Sequence, residues 1–218
     1  MFEEKENKNK NKLLTIIGIV ALIASIIGVS VAAYYWQFTG QTNTISTGTV
    51  SMSLLESTDT INIQNALPMG DTAGKALTHA DGSSGVFDFA VTTYASGAPG
   101  NITYTISITK AAVDTGYTAL QDSQVKVYLV AFEGSTETQV MAPTTVDNII
   151  TSGDTGTLTF DVDKTSYLTH AHTTANTTQT QKYRLKMWID GSVDASSWTS
   201  STNLQYKLKI NANGQLAS

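Results

Sequence analysis

The sequence predicts an all-β protein, a two-sheet antiparallel sandwich of jelly-roll or Ig-like type, preceded by one N-terminal hydrophobic helix. Three observations predict it. Apolar residues alternate with Thr, Ser and Asn in roughly eight or nine short runs after residue 48, the period of strands that bury one face. Clusters of Gly, Asn and Asp punctuate those runs, and no long helical period competes with them. A single uncharged apolar stretch, 13–36, stands ahead of them all.

Residues 1–12 form a charged segment in which Glu3, Glu4 and Glu6 are interspersed with Lys5, Lys8, Lys10 and Lys12. The apolar run 13–36 follows, and the next basic residue is Lys75. Lysines next to a membrane segment stay on the cytoplasmic side, so this order sends everything after Trp36 outward, to the cell surface or the medium, with the lipid bilayer as first partner. Two fates are open for the helix. Its length suffices for a retained transmembrane anchor, with Tyr34, Tyr35 and Trp36 in the interfacial belt. Ser30-Val31-Ala32 and Val31-Ala32-Ala33 also place small residues where a signal peptidase cuts, which makes Ala32 and Ala33 the candidate junction. A packed core helix fits less well, because Gly18, Gly28 and the β-branched residues leave no one-sided apolar stripe.

Residues 37–47 are polar and rich in Thr and Gln, as in a flexible arm or linker, and the sandwich domain spans 48–218. Val50, Met52 and Leu54 alternate with Ser51 and Ser53, and Ile61 and Ile63 continue with Asn62 and Gln64. Phe87, Phe89 and Val91 share one face of the next run. Ile102, Tyr104, Ile106 and Ile108 share one face of the run after it, opposite Thr103, Thr105, Ser107 and Thr109. The intervening Ala98-Pro99-Gly100-Asn101 is turn chemistry: Pro presets one dihedral and Gly or Asn accepts positive φ, so the pair is expected to form a hairpin. Val125, Val127, Leu129 and Ala131 follow, and Val130 and Phe132 on the other face predict a strand buried on both sides near its end. Thr144 to Ile150 is a short helical candidate with Thr145 as cap. Leu158, Phe160 and Val162, then Tyr183, Leu185, Met187 and Ile189, then Leu204, Tyr206, Leu208 and Ile210 complete the alternation.

Composition narrows the function. Charged residues are 14 % of the chain, with Thr, Ser, Asn and Gln in their place, which suits a surface that must be wet without being ionic. A net charge of -5 and the lack of any basic stripe after residue 12 exclude a nucleic-acid footprint. With no Cys there are no disulfides, thiolate metal sites or cysteine nucleophiles.

The candidate chemistry is sparse, and no cofactor is expected. His170-Ala171-His172 on an extended segment would place both rings on one side, as a metal pair needs, but no third ligand is near and a Thr/Asn-rich loop favours solvated rings, so no metal site is assigned. His79 is a lone loop histidine. The aspartates lack the spacing of a dedicated calcium loop, and Asp190-Gly191 and Gly153-Asp154 read as turns. Glu56, Glu133 and Glu137 sit beside turn signals rather than as a facing acid pair, and there is no Gly-x-Ser-x-Gly or His-Glu-x-x-His, so an enzyme is not expected. Trp188 and Trp198 are the candidate exposed platform for sugar or a partner protein, with burial of Trp188 under a loop as the competing reading. Asn101-Ile102-Thr103 and Asn176-Thr177-Thr178 match the N-glycosylation sequon.

The junction Val31-Ala-Ala-Tyr-Tyr-Trp-Gln-Phe, followed by Thr44-Ile-Ser-Thr-Gly-Thr-Val-Ser-Met-Ser-Leu, resembles the start of the TasA and camelysin family of exported bacterial matrix proteins. The likeness covers residues 28–66; the remainder is shorter and poorer in Lys than the family. It implies a jelly-roll subunit released by a dedicated signal peptidase, whose N-terminal arm inserts as a strand into the next subunit to build a fibre. The arm here is extended and β-competent, and Ile45 and Val50 are the expected pocket fillers of such a self-association. The alternative is an anchored extracellular module that binds glycan or protein.

Overall fold

Most of the alternating runs become strands, and the connections between them lead mainly from one sheet to the other. The computed structural model describes residues 43–45, 48–56, 58–79, 85–96, 99–196, 198 and 203–216. The helix expected over 13–36, the segment 1–12 and the junction at Ala32 and Ala33 lie outside the described residues. Among the described residues no helix is long and apolar enough to cross a membrane.

In chain order the strands are β1 (Asn43–Ile45), β2 (Gly48–Leu54), β3 (Thr60–Gln64), β4 (Val86–Ala95), β5 (Gly100–Lys110), β6 (Thr118–Ala119), β7 (Val125–Glu133), β8 (Thr136–Thr145), β9 (Thr155–Thr157), β10 (Thr169–His172), β11 (Thr177–Ile189) and β12 (Leu204–Leu216). The first sheet has the order β1-β2-β4-β11-β7-β8, and the second β10-β5-β12-β3, with β9 added to β5 and β6 to β12. All these pairings are antiparallel except β6 with β12. Phe87, Phe89, Tyr183 and Leu185 of the first sheet join Ile102, Ile106, Leu208 and Ile210 of the second in one buried cluster, as the alternation requires. Each such side chain contributes about 1.5–3 kcal/mol by leaving water.

Three elements depart from expectation. No hairpin joins β4 and β5: β4 pairs with β2 and β11, whereas β5 pairs with β10, β12 and β9. Gly100 and Asn101 already belong to β5, opposite His172 and Ala171, so the Pro-Gly-Asn sequence opens a strand of the second sheet instead of closing a hairpin within the first. Leu158 and Phe160 are buried, yet strand pairing stops at Thr157 and a 3-10 helix, Val162–Leu168, follows with Val162 92 % exposed. The reason is a change of partner. The Leu158 amide still donates to Ile106 of β5, whereas the Asp161 amide donates to Val140 of β8, so the segment bridges the two sheets. Finally, the short helix Val146–Ile149 forms where expected, with Thr145 at its N-cap position but without a side-chain cap; the Thr145 hydroxyl instead accepts from Asn148 Nδ2.

A helix that the periodicity did not announce, α1 (Asp71–Lys75), covers the outer face of the first sheet. Beneath it Tyr128, Val130 and Trp188 form a second buried cluster with Met69 and Leu77 against them, which is why the far half of β11 is buried on both faces. The two-sided burial expected at Val130 is present.

The sheets also meet where β12 passes β2. A Cβ added at Gly214 would lie 2.1 Å from Val50 Cγ2 and 2.8 Å from Val50 Cβ. Gly214→Ala is therefore expected to cost about 1–3 kcal/mol in urea denaturation by overpacking, and Val50→Ala in the same chain is expected to recover part of that loss.

Candidate functional site

Two polar constellations of the described residues bring histidines together with other polar side chains. The first lies on the outer face of the first sheet. Antiparallel pairing sets Asp88 of β4 opposite Arg184 of β11, and Arg184 Nε and a terminal nitrogen donate to both Asp88 oxygens at 2.7 Å. The other terminal nitrogen of Arg184 reaches Glu137 at 2.7 Å, and Lys186 Nζ reaches the second Glu137 oxygen at 2.7 Å and the Lys75 carbonyl at 2.8 Å. The Asp88 carboxylate, with Glu137 behind it, holds the guanidinium pKa above its usual value. His79 closes the group from the segment after α1, with Nε2 3.0 Å from Glu56 Oε1 and 3.2 Å from Asp88 Oδ2. Glu56 is pinned in turn by the Asp88 amide at 3.1 Å. Glu56 and His79 line a cavity of about 310 Å³ together with Thr58, Asn62, Asp114 and Lys207.

The second constellation is buried between the sheets. His170 and His172, read from sequence as solvated loop residues, lie on β10 and are 7 % and 2 % exposed. Thr93 Oγ1 stands 2.7 Å from His170 Nδ1 and 2.8 Å from His172 Nε2. The tautomers follow from the donors. Thr177 gives its hydroxyl proton to the Thr174 carbonyl, so it accepts from His172 Nδ1–H at 2.9 Å. A neutral His172 then accepts from Thr93, and Thr93 accepts from His170 Nδ1–H. Beyond His170, the hydroxyls of Tyr104 and Tyr183 are 2.7 Å apart and both reach the Tyr167 carbonyl. One ring nitrogen of each histidine thus shares the Thr93 hydroxyl, and the pair ties β10 to β4.

Burial, and after it the neighbouring His172, pushes His170 down to about 4 from 6.5, and burial lowers His172 as well. A histidine that takes up its proton more readily unfolded than folded makes stability rise with pH between the two values. Stability is therefore expected to be full above about pH 6.5 and to fall by on the order of 3 kcal/mol as the pH drops toward 4. Denaturation midpoints across that window test this, and His170→Leu should flatten the profile.

The residues singled out from sequence are scattered. Trp188 is 1 % exposed under α1, so it offers no surface platform; Trp198 is partly buried against the core. Val50 is 1 % exposed within this chain's own core, and Ile45 pairs with Gly48 at the edge of the first sheet. Asn101 and Asn176 are exposed, Asn176 at a positive φ of 57° that suits its turn, with Tyr94 donating to its Oδ1. The cluster at His79 was not visible in the sequence, because its members come from three separate elements.

No protein-family model matches the chain, and no curated protein matches it. Among solved structures it is similar to GH31 CBM32-2 bound to GalNAc (12 % identity, 79 % of this chain and 99 % of that one, TM-score 0.22). It is also similar to TmCBM61 in complex with beta-1,4-galactotriose (8 % identity, 76 % and 88 %, TM-score 0.24). A third is AvmM, which catalyses macrocyclization in alchivemycin A biosynthesis (9 % identity, 73 % and 91 %, TM-score 0.24). At TM-scores this low, function rests on the residues themselves.

Proposed function

We propose that this chain is a non-catalytic, exported surface or matrix subunit that self-associates by strand addition. The supporting observation is a one-sided stretch of β12: past Lys209, among the described residues, β12 pairs with β5 alone, because β3 ends at Thr60 opposite Lys209. A half-paired strand presents a row of amides and carbonyls that an extended segment from another copy can complete. The arm 37–47 supplies such a segment, and within it β1 already forms an edge strand held by β2. Before processing, the chain is held in the bilayer through 13–36, and a signal peptidase cuts at Ala32 or Ala33. Head-to-tail addition of this kind does not close and so builds filaments. Electron microscopy and sedimentation of the secreted protein, with and without residues 34–47, test it. Filaments are expected only with the arm, the domain remaining folded without β1, and filaments that persist after the deletion would refute arm exchange.

A second reading, an extracytoplasmic binding module, is favoured by the cavity of about 310 Å³. Its lining includes the polar side chains of Thr58, Asn62, Asp114 and Lys207, groups suited to hydroxyls. Glycan-array binding lost on Asn62→Ala would move this reading ahead; an empty array would remove the glycan form of it.

A further inference from the structure

Glu56, His79 and Asp88 bring a nitrogen and two carboxylate oxygens within 4.8 Å of one another, and Glu56 and His79 also line the cavity. We propose that these three side chains bind one divalent metal ion of the zinc class. The inference stands on this cluster and is independent of the assembly reading.

The spacing fits. His79 Nε2 is 3.0 Å from Glu56 Oε1 and 3.2 Å from Asp88 Oδ2, and ligand atoms on metal bonds of about 2.0–2.2 Å stand roughly 3.0–3.5 Å apart. A proton serves the arrangement less well. Nε2 can carry a single hydrogen, which points along one direction, whereas two oxygens wait at nearly equal distance; a cation taking the Nε2 lone pair satisfies all three atoms.

The oxygen ligands are also positioned without help from His79. Arg184 grips Asp88 through both oxygens, the Asp88 amide donates to Glu56 Oε1, and the Leu55 amide donates to the Asp88 carbonyl at 3.0 Å. Outer-shell partners of this kind are what orient metal ligands, and each carboxylate oxygen has a second lone pair free for the ion. The charges agree as well: Asp88 and Glu137 are matched by Arg184 and Lys186, whereas no lysine or arginine is paired with Glu56 among the described residues.

One imidazole with two carboxylates, and a remaining position open to the cavity, suits zinc rather than calcium, which takes six to eight oxygens. Access is available, since the His79 and Glu56 side chains are 39 % and 24 % exposed. The ion would staple the β2–β3 connection, the segment after α1 and β4 together.

The test uses full-length, untagged protein in detergent, stripped with EDTA and titrated with zinc chloride by calorimetry, with thermal unfolding in parallel. One equivalent per chain is expected, with a raised unfolding temperature, and His79→Ala and Glu56→Gln should each weaken binding by at least about tenfold. Glu56→Gln keeps the side-chain shape, so it decides the matter if His79→Ala fails to fold. Absence of saturable binding, or binding unchanged in Glu56→Gln, overturns the proposal; so does binding that disappears only with His170 or His172.

Discussion

Replacing Asp88 with alanine is expected to lower the unfolding free energy by about 3–5 kcal/mol, measured by urea denaturation in EDTA so that no metal contributes. Asp88, the third residue of β4, is 8 % exposed and is the bidentate partner of Arg184. Its removal leaves a guanidinium that is mostly covered, stacked 5.1 Å from the Phe132 ring, with Glu137 as its remaining carboxylate. Glu137 is already shared with Lys186, whose side chain is 2 % exposed, so the charge deficit passes to a buried ammonium that cannot turn to water. The cost arises from the stranded cations more than from the lost pair, because a buried ion pair roughly balances its own desolvation. An exposed pair supplies the contrast. Lys209 and Asp59 are 2.7 Å apart, but their side chains are 42 % and 63 % exposed, and Lys209→Ala is expected to cost less than about 1 kcal/mol. If Asp88→Ala cost no more than Lys209→Ala, water would have to reach the network and screen it.

Much of the sandwich was legible because a strand buried on one face writes its orientation into every second residue. Ile102, Tyr104, Ile106 and Ile108 are buried as that pattern demands, and Tyr183, Leu185, Met187 and Ile189 likewise. What the pattern does not encode is the partner of each strand. Pro99 and Gly100 announce that the chain turns, but a reversal within one sheet and a crossing to the other use the same turn residues, so the hairpin expected of β4 and β5 became a crossing. The alternation at Leu158, Phe160 and Val162 misled for a related reason: two buried residues two apart look the same whether they lie in a ladder or in a segment passing between sheets.

The polar sites were harder still. His170 and His172 sit in Thr-rich sequence that reads as solvent-facing, yet Thr93, distant in the chain, supplies the hydroxyl that lets both rings be buried neutral. His79 looked isolated because Glu56 and Asp88 reach it only after β2 and β4 have paired along their length. Such clusters depend on register between strands far apart in sequence, and spacing along the chain carries no record of it.

Trp188→Ala is expected to cost about 3–5 kcal/mol as well, for the opposite reason: loss of apolar packing. The indole fills the layer between β11 and α1, touching a cluster with Tyr128 and Val130, and Gly74 is seated directly on it. A Cβ at Gly74 would lie 2.3 Å from the indole, so only glycine allows α1 to approach this closely. A five-residue helix that contains a glycine has little intrinsic stability, and its place depends on that ring and on the Asp71–Lys126 ion pair at 2.9 Å. The indole Nε1 has no hydrogen-bond partner among the described residues, which makes Trp188→Phe informative. Phenylalanine loses volume but also removes an unsatisfied buried donor, a group that costs about 1–3 kcal/mol, so the two effects oppose each other. Trp188→Phe should therefore lie within about 1.5 kcal/mol of the parent while Trp188→Ala does not. Gly74→Ala provides the complementary measurement: it should shift the tryptophan emission to the red as α1 lifts and water reaches the ring. An unchanged emission with little loss of stability would mean that α1 floats over the sheet rather than sealing it.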